Sequence, residues 1–171
     1  MKQVSKIGSI IAIAVILFGC KTSQQIADKD TQEFRYEVEP VDVGTQGVYQ
    51  LKVWTYSRNP DTATEQAKKN AVHSVVFKGF TGKAGVITGR KALVSNAAVE
   101  TEKADYFKPF FATGGKYQQF VSLANNGAIA PGDRLKIGSE YKIGVIVSVN
   151  VAALRSELET AGIISKLGGG F

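Results

Sequence analysis

Two stretches of the chain alternate between apolar and polar residues, as half-buried β-strands do. In residues 47–56, Leu51 and Val53 fall on one side of an extended chain. In residues 141–149, every second residue is a tyrosine, isoleucine or valine. A weaker alternation in residues 34–43 is interrupted by a proline, which is tolerated on an edge strand. The pattern therefore predicts three strands, one of them at a sheet edge.

A helical pattern follows the strand at residues 47–56. Alanine recurs at four-residue spacing, at Ala63, Ala67 and Ala71, so a narrow stripe of small side chains lies on one helix face. Thr62 and Glu65 have the spacing of a capping box at the helix start. We expect this helix to pack closely on the sheet, to run into residues 75–77 or give way there to a strand, and to stop by residue 79.

A second helix is predicted after the last strand. Asn150 is a favourable N-cap, and Gly162 is placed to end the helix as the residue after its C-cap. Between them, four apolar residues share one helical face: Val151, Leu154, Leu158 and Ala161. Two units of a strand followed by a helix favour an α+β fold.

The middle of the chain, residues 80–134, has a less regular pattern. Residues 80–89 are glycine-rich and read as a loop, and residues 100–112 contain helix formers. That helix includes an aromatic cluster, Tyr106, Phe107, Phe110 and Phe111. Residues 117–124 fit either a strand or a short helix, and the pattern leaves both open.

The N-terminus predicts export. Residues 7–19 form an apolar or small run preceded by Lys2 and Lys6, and Cys20, the only cysteine, follows Gly19. This run is shorter than the roughly 20 residues that cross a bilayer, and its Gly-Cys end resembles the lipobox of bacterial lipoproteins. Cys20 is therefore the predicted lipid attachment site, acylated with chains such as palmitate. An ordinary cleaved signal or a short N-terminal anchor are the alternatives.

These features divide the chain into three parts. Residues 1–19 are a predicted lipoprotein signal peptide, and residues 20–33 are a polar, flexible tether. Residues 34–171 are one predicted α+β domain, with an antiparallel or mixed sheet and two or three helices packed on it. Removal of the signal lowers the 21 Lys and Arg to 19 against 15 Asp and Glu, a net charge near +4.

Two segments carry a resemblance to a known family. They read "VYQLKVWTYSRNPDTATEQAKKNAVHSVVFKGF" and "YKIGVIVSVNVAALRSELETAGI". Together with the signal, they resemble the small envelope domain of the lipoprotein-twenty type, which also occurs at the N-terminus of the flagellar assembly protein T. The matching residues are Ala63, Ala67, Asn70, Ala71, Tyr141, Val145, Val147 and Leu154. The resemblance implies an α+β envelope domain without an established chemistry, and residues 80–134 have no counterpart in it.

Few residues suggest catalysis. The single histidine, His73, lies on the first predicted helix, where a packing role is the commoner one. Zinc sites normally need three or four His, Cys or carboxylate ligands, and no metal or other cofactor is predicted. Residues 82–84 are similar to a phosphate-binding loop, but they lack its first glycine and its Ser or Thr. The chain is therefore predicted not to be an enzyme.

The strongest charge asymmetry lies between residues 66 and 99, which hold six cations and no acid. These cations are Lys68, Lys69, Lys78, Lys83, Arg90 and Lys91. They fit either an ordinary solvated face or a surface that binds an anionic envelope component. An exported protein meets little nucleic acid, so that partner is not expected.

The function predicted from these features is a non-catalytic, lipid-anchored lipoprotein that acts as a binding or assembly module. Its predicted place is the outer membrane of the cell envelope, facing the periplasm, and its partner is an envelope protein or an anionic envelope polymer. Two alternatives stay open. One is an accessory subunit of a secretion, conjugation or flagellum-like apparatus, and the other is a hydrolase of cell-wall or surface polymers.

Overall fold

Five antiparallel strands form a sheet in the computed structural model, which describes residues 34–42, 47–59, 62–85 and 87–166. The strands are β1 (Tyr36–Asp42), β2 (Val48–Ser57), β3 (Val121–Leu123), β4 (Arg134–Ile137) and β5 (Glu140–Asn150). The order is β1-β2-β5-β3, and β4 also pairs with β5. Because β2 occupies one edge of β5 along almost its whole length, β3 and β4 share the other edge at opposite ends.

Four α-helices complete the described fold. They are α1 (Ala63–His73), α2 (Ala98–Glu102), α3 (Ala104–Phe110) and α4 (Val151–Thr160). The first continues into a π-helical turn, Ser74–Lys78, and packs on β2 and β5. The predicted α+β class is confirmed, and the sheet is antiparallel. No described helix has the length and apolar character needed to cross a membrane.

The alanine stripe of α1 is buried as predicted, and α1 packs on β2 and β5. Ala63, Ala67 and Ala71 are completely buried, together with Leu51 and Val147 of the two central strands. Small side chains let the helix backbone approach the sheet closely, and larger ones would overpack the interface. This packing fixes α1, and with it the positions of Lys69 and His73 on its other faces.

The predicted capping box at the start of α1 is wrong. Thr62 adopts helical backbone angles and makes no side-chain cap, whereas a capping residue has extended angles. Its hydroxyl instead donates to the carbonyl oxygen of Asn59 at 2.8 Å and lies 2.9 Å from the hydroxyl of Ser57. The Thr62 side chain therefore bonds back to residues at the end of β2 and does not cap α1.

The cap of the last helix is confirmed. The side chain of Asn150 accepts a hydrogen bond from the amide of Ala153 at 3.0 Å. Leu154 and Leu158 are completely buried as predicted. Ala161 is exposed, contrary to prediction, and it is the C-cap residue that follows the end of α4 at Thr160.

The irregular middle of the chain is more ordered than its pattern suggested. Residues 117–124 use both of the open alternatives, since a 3-10 turn (Lys116–Phe120) leads directly into β3. Strand β4 was not predicted. Its signal is the alternation of Leu135 and Ile137 with two cations, followed by a glycine before β5.

Candidate functional site

The six cations proposed from the sequence separate into two groups. Lys68 and Lys69 lie on α1, where Lys68 forms an ion pair with Glu65 and only 7% of Lys69 is exposed. The other four lie at or beyond the π-helical turn and are exposed: Lys78, Lys83, Arg90 and Lys91. Only this second group presents its charges openly to solvent.

Residues 79–85 and 87–91 form a hairpin, named the basic hairpin here. The backbone of Phe80 exchanges two hydrogen bonds with that of Arg90, with N···O distances of 2.9 and 3.0 Å. A second pair of the same lengths closes the hairpin nearer its tip, at Lys83. The sequence predicted a loop here. The segment is rich in glycine, and its two isolated backbone pairings leave no strand pattern in the sequence.

Three cations gather at the root of the basic hairpin. Lys78, Arg90 and Lys91 line one shallow depression of about 380 Å³. The Lys78 ammonium lies 4.2 Å above the ring centre of Tyr36, and the Arg90 guanidinium lies 5.9 Å from that of Tyr49. Cation–π contacts of this kind position a charge without neutralising it, so the root remains positively charged.

His73, at the end of α1, is the centre of a buried polar cluster that adjoins the root of the basic hairpin through Tyr36. The ring is 3% exposed and stacks on Phe34 with 3.6 Å between centroids. The hydroxyl of Tyr36 lies 2.7 Å from Nδ1, and a carboxylate oxygen of Glu100 lies 3.0 Å from Nε2. The sequence predicted a packing role for this residue, but it did not reveal these two polar partners.

The environment of His73 keeps its ring neutral. Burial among aromatic rings lowers the pKa of His73 to about 4, against the opposing effect of the hydrogen bond to Glu100. A neutral ring donates from one nitrogen and accepts at the other. Nε2–H therefore donates to the Glu100 carboxylate, and Nδ1 accepts from the hydroxyl of Tyr36. Burial also raises the pKa of Tyr36 well above its ordinary value, so this hydroxyl stays protonated.

A cleft of about 860 Å³ opens beside this cluster. Its walls include the rings of Phe34, Phe107 and Phe111, together with the charged residues Lys69 and Lys108. Among the described residues, Glu100, the partner of His73, is the only carboxylate that lines the cleft, and the other described lining residues are Thr101, Ala104, Ala112 and Thr113. The described lining thus combines three aromatic rings with three charged side chains.

The sequence identified some of the residues that line this cleft, but it did not predict the cleft itself. The aromatic cluster contains Phe107, and Lys69 was one of the six cations. Phe34 and Glu100 reach the cleft from positions 66 residues apart, which no local pattern brings together. Among the described residues, no group of three or more His, Cys, Asp or Glu side chains is arranged to hold a metal ion.

Comparison of the chain with protein-family models, curated proteins and solved structures finds no match. The resemblance to the lipoprotein-twenty domain therefore stays a prediction. The predicted lipid attachment site Cys20, the signal and the tether lie outside the described residues.

Proposed function

We propose that the protein is a non-catalytic lipoprotein, anchored through Cys20, that acts as a binding module at the periplasmic face of the outer membrane. The apolar run that ends in Gly19 and Cys20 supports the anchor and the compartment. Acyl chains on this residue would hold the folded domain near a membrane surface. A binding role then requires a surface of the domain that recognises an envelope component.

The observation that carries the binding role is the exposed charge of the basic hairpin. Its root presents Lys78, Arg90 and Lys91 around one depression, and Lys83 lies nearer its tip. No acid occurs between residues 66 and 99 in the sequence. A single-sign surface of this kind attracts anionic partners over about one screening length. We therefore propose an anionic envelope surface as the partner.

The cleft beside His73 favours a binding module over a hydrolase. A glycosidase of the usual type needs two carboxylates on opposite sides of one site. The lining residues of the described cleft include a single carboxylate, Glu100, which is already bonded to His73. Both nitrogens of that histidine have partners, so the ring does not offer a free base at this site.

The test of the proposed function is co-sedimentation of residues 21–171 with anionic vesicles and, separately, with purified peptidoglycan. All described strands and helices lie within residues 36–160, so this fragment keeps the fold. Binding should weaken between 0.1 M and 1 M salt, because the screening length falls from about 10 Å to about 3 Å.

Two triple variants make the test specific. The first replaces Lys78, Arg90 and Lys91 with glutamate, and it should abolish binding. The second makes the same charge change at exposed lysines elsewhere, Lys103, Lys136 and Lys166, and should retain most of it. Equal loss of binding in both variants would mean that net charge alone explains the binding. Binding that ignores both salt and the first variant would contradict the proposal.

A further inference from the structure

The sheet ends in β1 on one side and in β3 and β4 on the other, and these edges differ in how they are protected. At the β1 edge, Pro40 lacks a backbone N–H, and the register with β2 shifts between Pro40 and Asp42. Both features hinder the addition of a further strand. The short strand β3 is partly covered, since Val121 is buried. β4 contains no proline and no register shift, and all four of its residues are exposed.

β4 offers backbone groups to a further strand. It pairs with β5 at four positions, from Arg134 opposite Ile143 to Ile137 opposite Glu140. In an antiparallel ladder, alternate residues exchange hydrogen bonds with one neighbour, and the residues between them direct their N–H and C=O groups to the other side. Apart from the pairing with β5, residues 134–137 make no backbone hydrogen bond within the described part of the chain. Extended peptides bind to such edges by adding a strand.

The side chains of β4 differ in chemistry between its two faces. Residues directly opposite each other in an antiparallel pair point to the same face. Arg134 lies opposite the completely buried Ile143, so Arg134 and Lys136 are on the face that contains the core. Leu135 and Ile137 are on the opposite face, where they are 46% and 50% exposed. One face of the edge is thus cationic and the other is apolar.

The cations of β4 have no acidic partner among the described residues. The Arg134 guanidinium lies 5.3 Å from the ring centre of Tyr141, and a cation–π contact leaves its charge in place. Lys136 is exposed and forms no ion pair within the described part of the chain. The two nearest acids in the sequence, Asp133 and Glu140, form ion pairs with other cations. The edge therefore favours a partner that supplies carboxylates.

We propose that β4 binds an extended segment of a partner protein in which acidic and apolar residues alternate, by addition of that segment to the sheet edge. Its acidic side chains lie beside Arg134 and Lys136, and its apolar side chains lie beside Leu135 and Ile137. A second copy of β4 does not fit, because pairing about a two-fold axis brings the cations of both copies side by side, and like charges in that position are destabilising. This inference does not depend on the lipid anchor or the basic hairpin.

The first arm of the test compares three labelled eight-residue peptides. The first alternates valine and glutamate, the second has proline in place of its two central valines, and the third has lysine in place of each glutamate. Binding to residues 21–171 is measured by fluorescence anisotropy. The first peptide should bind at least about tenfold more tightly than the other two, because proline removes N–H groups from the ladder and lysine reverses the charge. Equal binding of the first and second peptides would overturn strand addition.

Amide hydrogen exchange locates the bound peptide. Hydrogen bonds to an added strand protect backbone amides that otherwise face water. At saturation with the valine–glutamate peptide, amides within residues 134–137 should exchange at least about threefold more slowly. Peptide binding without slower exchange in these residues would assign the peptide to another surface and would overturn the proposal.

Two double variants with a matched control test the charges. Arg134→Gln combined with Lys136→Gln should weaken binding of the valine–glutamate peptide at least about threefold, since ion pairs at exposed sites are individually weak. Lys103→Gln combined with Lys166→Gln makes the same change in net charge at exposed positions away from β4 and should bind as wild type. Equal weakening in the two double variants would contradict a site at β4.

A third double variant tests the apolar face and the other possible occupants. Leu135→Thr combined with Ile137→Thr keeps the β propensity of the strand and should weaken peptide binding. Thermal unfolding checks that this variant is folded, and if it is not, the glutamine variants decide the outcome. It should keep the salt-sensitive binding to anionic vesicles, so failure at β4 and failure at the basic hairpin are distinguished. Loss of vesicle binding, or loss of a wild-type dimer seen by sedimentation, would assign β4 to a membrane or a second copy and overturn the proposal.

Discussion

The two faces of the sheet are formed by the same strands but differ in how far their side chains are buried. On the covered face, Leu51, Val53, Val145 and Val147 are completely buried. On the open face, most of the intervening residues of β2 and β5 are half-buried, and they include Lys52, Trp54, Tyr56 and Lys142. The alternation with a period of two in the sequence assigns the residues to the two faces. The interactions that stabilise the two faces differ.

The open face is an alternation of aromatic rings and charges. Trp54 lies against Gly144 on the neighbouring strand, where an added Cβ would be 3.1 Å from the indole ring. The ammonium of Lys142 is 5.2 Å from the Trp54 ring and forms an ion pair with Glu37 at 2.8 Å. The indole nitrogen donates to Glu39 at 2.9 Å. These contacts lie at the protein surface, where water and salt screen them.

The covered side contains a buried titratable group. His73 lies among rings on α1, the helix that packs on the covered face. Burial of a polar ring makes folding sensitive to its charge, whereas exposed charge pairs contribute little. The comparison therefore predicts pH and packing effects on the covered side and small, salt-dependent effects on the open face.

The largest expected effect is the pH dependence due to His73. Its pKa falls from about 6.5 in the unfolded chain to about 4 in the folded protein. Between these values the unfolded chain binds a proton that the folded chain does not, so the free energy of unfolding decreases as pH falls. The loss amounts to about 3 kcal/mol over the whole window and about 2 kcal/mol between pH 6.5 and 5.

Urea unfolding at pH 7, 6 and 5 measures this dependence. The variant His73→Gln has no titrating ring and should be nearly flat over that range, although it is less stable at pH 7. A slope in His73→Gln equal to that of the wild type would assign the pH dependence to other groups.

The next effect concerns the alanine stripe. Ala67→Leu places a larger side chain between α1 and the sheet, where Ala67 is completely buried, and it should destabilise the domain by about 1–3 kcal/mol. Lys68→Leu, on the adjacent and less buried position, is the matched control. Denaturant midpoints should separate the two variants. If the midpoints fall equally, α1 does not pack through its alanines.

The smallest effect belongs to the open face. Glu37→Gln removes the charge that pairs with Lys142, in a contact where 55% of the Glu37 side chain is exposed. The loss should be below about 1 kcal/mol and should disappear in 1 M salt. Glu102→Gln, an exposed acid on α2, is the control for net charge. A larger loss of stability that persists in 1 M salt would show that the open face is stabilised by more than screened ion pairs.

The sequence predicted the covered face better than it predicted either candidate surface. Alternation and the alanine spacing are local signals, and they located β2, β5 and a buried stripe of α1. The cleft depends on contacts distant in sequence, such as the stack of Phe34 on His73. The basic hairpin has only two isolated backbone pairings, too few to produce a strand pattern.

The cap of α1 shows a further limit of local reasoning. Thr62 and Glu65 have the spacing of a capping box, but Thr62 bonds to Ser57 and Asn59 instead. The spacing was compatible with both arrangements. Only the folded path of the chain out of β2 decides between them.

The central proposal, an envelope protein anchored by lipid, is tested most directly by metabolic labelling with a fatty-acid analogue. Cys20 is the only cysteine in the chain, so Cys20→Ser removes the proposed attachment site, and the two proteins are compared at equal expression. The account predicts a labelled wild type that fractionates with the outer membrane and an unlabelled Cys20→Ser. Equal labelling of the two proteins, or no label on the wild type, would contradict it.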